Sequence, residues 1–253
     1  MPERAGLRWS SDESVGRIEL ARPEKLNALS RAVLEGLVEA TAWFDARPEV
    51  KAVVVTGEGR AFSAGFDLTD RSWSELGPPE MSAAVGRAMA EAVSGMRAVT
   101  IAAVQGHCVG GGVVLAAACD LRVVADDARF RIPEIDLGVP LYWVGIPLLT
   151  RELGPALTKE LVLTGRPFDA AEALVARFVN RVVPPASLEE SALALAEDIA
   201  SKPAIVVHAT KRQVDDAVPP VPATVADVGA DLHDFAASLH DPEAREVAAR
   251  YLR

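Results

Sequence analysis

The sequence predicts an α/β core, residues 1–190, followed by a helical C-terminal region, residues 191–253. Three observations carry this reading. Val15 to Leu20 alternates apolar and polar residues, as a half-buried strand does. Ala52-Val53-Val54-Val55-Thr56 is an unbroken, mostly β-branched run ended by Gly57, as in a strand covered on both faces. From about Ser187 onward the pattern is almost purely helical.

Taken in order, Leu7 to Trp9 is a strand partner for Val15–Leu20, with Ser11-Asp12-Glu13-Ser14 as the turn between them. Ser30 to Ala46 reads as a helix. Ser30 is its N-cap, and Val33, Leu34, Leu37, Val38 and Trp43 follow at helical spacing. After Pro78-Pro79 a second helix runs from about Met81 to Met96. Ile101 to Val104 gives a short apolar strand, Ala116 to Cys119 closes a buried helix, and Leu121 to Ala125 forms a further strand. Strands alternating with helices imply crossover connections. In the tail, Pro203, Pro219, Pro220 and Pro222 are breakers. Phe235, Leu239, Val247 and Leu252 form an apolar stripe that must be buried, on a neighbouring subunit or on the core.

Composition narrows the function. The chain has 253 residues and a formal charge of -10, which argues against nucleic-acid or anionic-membrane surfaces built from clustered Lys and Arg. A phosphorylated ligand held by a few local cations and amides stays compatible with it. Cys108 and Cys119 lie in apolar sequence and read as buried free thiols in a reducing compartment. The N-terminal residues carry no apolar signal segment, and the apolar stretch Ile101–Cys119 is broken by Gln105, His107 and three glycines. The expected setting is cytoplasmic.

Three segments carry chemistry: Phe62-Ser63-Ala64-Gly65-Phe66-Asp67-Leu68, Gly110-Gly111-Gly112, and Ile132-Pro133-Glu134. The glycines follow a strand and precede an apolar helix. Amides there lack internal partners, sit at the positive end of the helix dipole, and can bind an oxyanion. Alone, the glycines read first as a tight turn and Glu134 as a capping or salt-bridged residue, and Asp67 reads also as a loop brace. Ser63 lacks the Gly-x-Ser-x-Gly elbow and an evident His partner, so a hydrolase reading is not supported. His107 is expected to be hydrogen-bonded in the core without a catalytic role. His208, His233 and His240 lack metal-ligand spacing, so no metal is implied.

The combination of these segments resembles the crotonase (enoyl-CoA hydratase/isomerase) superfamily over nearly the whole chain, including Ala21-Arg22-Pro23-Glu24-Lys25-Leu26-Asn27-Ala28-Leu29. The resemblance implies a spiral of ββα units with a C-terminal helical appendage. It also implies an acyl-CoA substrate, with coenzyme A as part of that substrate and no permanently bound cofactor, and a homotrimer or dimer of trimers. By resemblance the amides of Ala64 and Gly111 form the oxyanion hole. Ala64, Gly65, Phe66 and Asp67 line the coenzyme A path, and Arg22 and Lys25 lie near its adenosine phosphate end. Arg22 and Lys25 read equally well as a solvated surface pair.

Hydratases of the family use two glutamates, and the matching positions here are Val114 and Glu134. A valine cannot exchange a proton, whereas one carboxylate can carry a proton from C2 to C4 of an acyl chain. The expected reaction is therefore Δ3 to Δ2 enoyl-CoA isomerisation by Glu134. Leu137-Gly138-Val139 leading to Trp143, and Asp231-Leu232-His233-Asp234-Phe235, resemble the mitochondrial-type isomerase branch. Dienoyl-CoA isomerases carry an aspartate where Tyr142 stands, and Asp136 is out of register for that role. Val114, Leu141, Tyr142 and Trp143, with Phe66, are candidates for the acyl pocket, and core packing explains the aromatics equally well. The alternative is an acyl-CoA-binding homologue with weak or different thioester chemistry, hydration or hydrolysis.

Overall fold

A seven-stranded sheet forms the backbone of the computed structural model, which describes residues 3–76, 79–218 and 234–251. Its strands are β1 (Glu3–Arg4), β2 (Leu7–Asp12), β3 (Val15–Leu20), β4 (Ala52–Gly57), β6 (Val99–Val104), β8 (Leu121–Ala125) and β11 (Arg181–Val183), hydrogen-bonded in that order. β1 to β3 pair antiparallel, and every pairing from β3 to β11 is parallel. A second sheet holds β5 (Ala61–Ser63), β7 (His107–Val109), β9 (Arg129–Arg131) and β10 (Phe168–Asp169), in the order β10-β9-β7-β5.

The helices are α1 (Arg31–Asp45), α2 (Pro79–Ser94), α3 (Gly111–Ala118), α4 (Gly145–Thr164), α5 (Ala170–Val175), α6 (Leu188–Ala200), α7 (Ala204–Ala217), α8 (234–240) and α9 (Pro242–Tyr251). Three successive units repeat one plan: a strand of the large sheet, a strand of the small sheet, then a helix. They are β4-β5-α2, β6-β7-α3 and β8-β9-α4. This is the spiral of ββα units that the motifs imply. It brings every strand-to-helix turn of the series to one side of the molecule.

Local chemistry explains the elements that the pattern reveals. Ser30 caps α1, its hydroxyl accepting from the Val33 amide at 3.3 Å. The β4 run is apolar throughout because both faces are covered. Val53 and Val55 enter the main core with α1, α2 and α3, while Ala52 and Val54 meet Leu188, Ala192 and Ala196 of α6. The expected boundary at 190/191 thus falls inside a helix that covers the sheet. The first helix of the tail is part of the core, since a parallel sheet needs cover on both faces.

Cys108 and Cys119 are buried free thiols, and burial pushes both well up, Cys119 to about 12. His107 corrects its expectation, because it sits exposed on β7. No helix among the described residues is long and apolar enough to cross a membrane. Pro219, Pro220, Pro222, residues 231–233 with His233, and Leu252 lie outside the described residues.

Candidate active site

Two loops and a glycine turn are built against one another. Leu26 and Asn27 both take left-handed backbone angles, φ 49° and 55°. Asn27 is buried and ties the loop down. Its side-chain amide donates to the carbonyls of Glu58 (2.9 Å) and Ala61 (2.8 Å), and its Oδ1 accepts from the Arg22 amide at 2.9 Å. The Ser63 hydroxyl donates to the Asn27 carbonyl at 2.9 Å and accepts from the Gly65 amide at 3.1 Å. That hydroxyl is fully buried and engaged at both ends, so it holds the loop and is no nucleophile.

Gly65 then turns with φ +82°, and a Cβ there would overlap the Val109 carbonyl and lie 3.1 Å from the Gly111 nitrogen. Only a glycine lets this loop approach the β7–α3 turn so closely. The approach decides which amides are free. The Ala64 amide, expected in the oxyanion hole, donates to the Leu26 carbonyl at 2.8 Å. Asp67 donates to the Leu29 carbonyl at 3.2 Å, and Leu29 to that of Gly65 at 2.7 Å. The Phe66 amide between them has no acceptor among the described residues, and the Gly111 amide at the start of α3 has none either. The Ala64 amide is thus consumed by a bridge to the first loop, and the free amide of this loop is that of Phe66, two residues on.

Glu134 opens a short 3-10 turn, Glu134–Leu137, after β9. Arg131 pins this turn, donating to the Gly165 carbonyl and pairing with Asp136, each at 2.8 Å. Asp136 thus braces the turn from its outer side. The Glu134 carboxylate lies against Gly110, where an added Cβ would stand 2.5 Å from Oε1. Its Oε2 is buried with no hydrogen-bond partner. Burial raises the Glu134 carboxyl to about 7.

These groups face one cavity of about 340 Å3. Ala64, Phe66, Gly111, Val114, Glu134, Leu141, Tyr142 and Trp143 all line it, so the expected acyl-pocket residues are brought together with the glycine turn. Val114 is fully buried and packs with Leu141 around Gly145. Arg22, Lys25, Gly65 and Asp67 do not line the cavity. Arg22 pairs with Asp67 at 2.8 Å and donates to the Ala28 carbonyl at 2.7 Å. Burial pushes Asp67 up, but the hydroxyl and amide of Thr69 and the Arg22 guanidinium outweigh it and hold the carboxyl below its usual range. Asp67 therefore braces the loop. Lys25 is exposed, with Nζ 3.4 Å from the Thr69 hydroxyl.

A family model described as enoyl-CoA hydratase/isomerase matches residues 10–252. The chain belongs to the enoyl-CoA hydratase/isomerase family. It is 39% identical over 209 residues to the Mycobacterium tuberculosis protein named probable enoyl-CoA hydratase echA8, covering 81% of this chain and 79% of that one. It is 35% identical over 215 residues to the mitochondrial Delta(3,5)-Delta(2,4)-dienoyl-CoA isomerase of Rattus norvegicus, covering 80% and 66%. The crystal structure of an enoyl-CoA hydratase/isomerase from Xanthobacter autotrophicus Py2 superposes with a TM-score of 0.85 at 31% identity, covering 98% of this chain and 94% of that one.

Within this enoyl-CoA hydratase/isomerase site, several residues escape a reading of the sequence. Phe235, Leu239, Ala248 and Tyr251 of α8 and α9 line the cavity, so the C-terminal helices cover the site of their own chain. Phe235 packs on Tyr142 with ring centroids 5.1 Å apart, and a Cβ at Gly138 would overlap the Ala244 carbonyl of α9. The apolar stripe signalled burial; where it is buried depends on the fold. Trp73, stacked on Phe66 at 4.8 Å, had no sequence signal at all.

Proposed function

We propose that this chain shifts a Δ3 double bond to Δ2 in enoyl-CoA, with Glu134 as its single acid/base and the amides of Phe66 and Gly111 receiving the thioester oxygen. The observation that carries this is the pairing of one buried carboxyl with a fully buried Val114. Glu134 is the only carboxyl among the described residues lining the cavity. The two amides acidify C2 by stabilising negative charge on the thioester oxygen. Glu134 takes a C2 proton, the electron pair spreads over a dienolate, and Glu134 returns the proton at C4. A carboxyl near pH 7 suits both halves of this transfer. Hydration, which the names of many relatives favour, needs a second group to hold and activate water, and Val114 supplies none.

The test compares wild type and Glu134→Gln on 3-enoyl-CoA and 2-enoyl-CoA in a spectrophotometric assay. Conversion of the first, abolished by the substitution, supports the reading. Hydration of the second that survives the substitution overturns it. Gly110→Ala gives an independent check. At φ +52°, with Glu134 Oε1 2.5 Å from the added carbon, it should displace the carboxylate and lower turnover by about 100-fold. Turnover within a few-fold of wild type would show that the carboxylate position does not matter.

The same reading includes a homotrimer or dimer of trimers. It is supported by large apolar side chains left in solvent on α5 and α7, Val175 at 85% and Ile205 at 80% exposed. Light scattering should give three or six chain masses; a monomer would refute it.

A further inference from the structure

Trp143 packs in the core and also borders the glycine turn, where the proposed proton transfer gives it no part. It and Val144 take consecutive left-handed backbone angles, φ 61° and 62°, which non-glycine residues rarely adopt. The indole is nearly buried and reaches from α2 to the glycine turn. A Cβ at Gly86 would overlap its Nε1 edge, and one at Gly111 would overlap Cζ3 and lie 2.9 Å from Cη2. The polar edge of the ring therefore faces α2, and the all-carbon edge faces Gly111.

The Glu134 carboxylate lies against Gly110, the preceding residue. Adjacent Cα atoms stand about 3.8 Å apart. The peptide joining these two carries the free Gly111 amide. A thioester oxygen accepting from that amide thus has the carboxylate beside one Cα and the indole beside the other. The Phe66 ring, 6.1 Å from the indole, borders the second free amide, and Val114 with Leu141 lies behind. The side chains of Phe66, Val114 and Leu141 and the carbon edge of the indole offer a water no polar partner.

We infer that Trp143 is a specificity-determining residue: it keeps water from the reacting carbons, so that the proton Glu134 removes at C2 is the one it returns at C4. The inference rests on the isomerase reading. The migrating proton leaves C2 with the electron pair staying on carbon, resides on a Glu134 oxygen, and forms the C4–H bond as the dienolate pair closes. Water admitted beside the carboxylate would exchange that proton before it is returned.

The experiment uses the full chain and 3-enoyl-CoA carrying deuterium at C2, with mass spectrometry of the product for deuterium at C4. Wild type should keep the label in most turnovers. Trp143→Ala should lower retention about threefold or more, and Trp143→Phe by less, because the void over Gly111 admits solvent. Loss of the label by wild type in most turnovers overturns the inference, as does wild-type retention in the substituted proteins. If Trp143→Ala does not fold, wild type and Trp143→Phe still decide. A wild type that leaves 3-enoyl-CoA unconverted strikes the isomerase reading itself, and this inference with it.

Discussion

Glu134→Gln is expected to lower conversion of 3-enoyl-CoA by about 1,000-fold, with KM little changed. Gln has the shape of Glu and fills the same space beside Gly110, but it cannot take a proton from carbon. The wild-type rate should rise with pH as Glu134 ionises near 7, and that limb should vanish in the variant. Stability moves the other way. The folded-state value, about 7, is raised above the ordinary 4.5, so the folded chain binds this proton more tightly than the unfolded chain does. Its contribution therefore favours folding least at high pH. Stability is lost as pH rises through the window from about 4.5 to about 7, by about 3 kcal/mol in all. Relative to wild type, Glu134→Gln should gain about 2–3 kcal/mol between pH 4 and pH 8 in denaturant titrations. An equal difference at both pH values would mean that the carboxyl is not desolvated in the folded protein.

Arg122→Met is expected to destabilise the fold by about 3–5 kcal/mol. Arg122 sits on β8 with only 3% of its side chain exposed and pairs with Glu152 of α4. It also donates to the carbonyls of Ala116 (3.1 Å), Cys119 (2.7 Å) and Phe178, with its guanidinium over the Phe178 ring. Ala116 and Cys119 close α3, so the cation satisfies orphan carbonyls at the negative end of that helix. Met fills the volume but leaves these carbonyls without a donor and the mostly buried Glu152 with Arg151 alone as its partner, at 2.9 Å. The double variant Arg122→Met, Glu152→Gln should recover part of the loss, since the stranded charge is removed. A loss below about 1 kcal/mol would place this pair among ordinary surface ion pairs.

Arg122 also shows how the core and the site are joined. It anchors the C-terminal end of α3, whose first amide, at Gly111, faces the cavity. A loss of anchoring should therefore reach the free amide as well as the melting curve, through one short helix of eight residues.

Much of this protein is legible along the chain. The Val53–Val55 run, the Ser30 cap, the glycine turn and Glu134 were readable because each obeys a local rule of period, capping or missing side chain. The small sheet was not, since β5, β7 and β9 have three residues each, too few to show a period. Trp143, Tyr142 and Leu141 were readable as apolar pocket candidates, but nothing local says that the carbon edge of an indole would meet Gly111.

The alternation of strands and helices follows from residue patterns along the chain, and the ββα plan, the family and the choice of Glu134 follow from the resemblance its motifs carry. The fold sets which amide stays free, since the Ala64 donor is taken by Leu26, 38 positions away along the chain. It also decided what closes the cavity, bringing α8 and α9 back over Glu134. A hydrogen-bond donor is free or spent according to what folds against it, and no spacing along one strand of sequence records that.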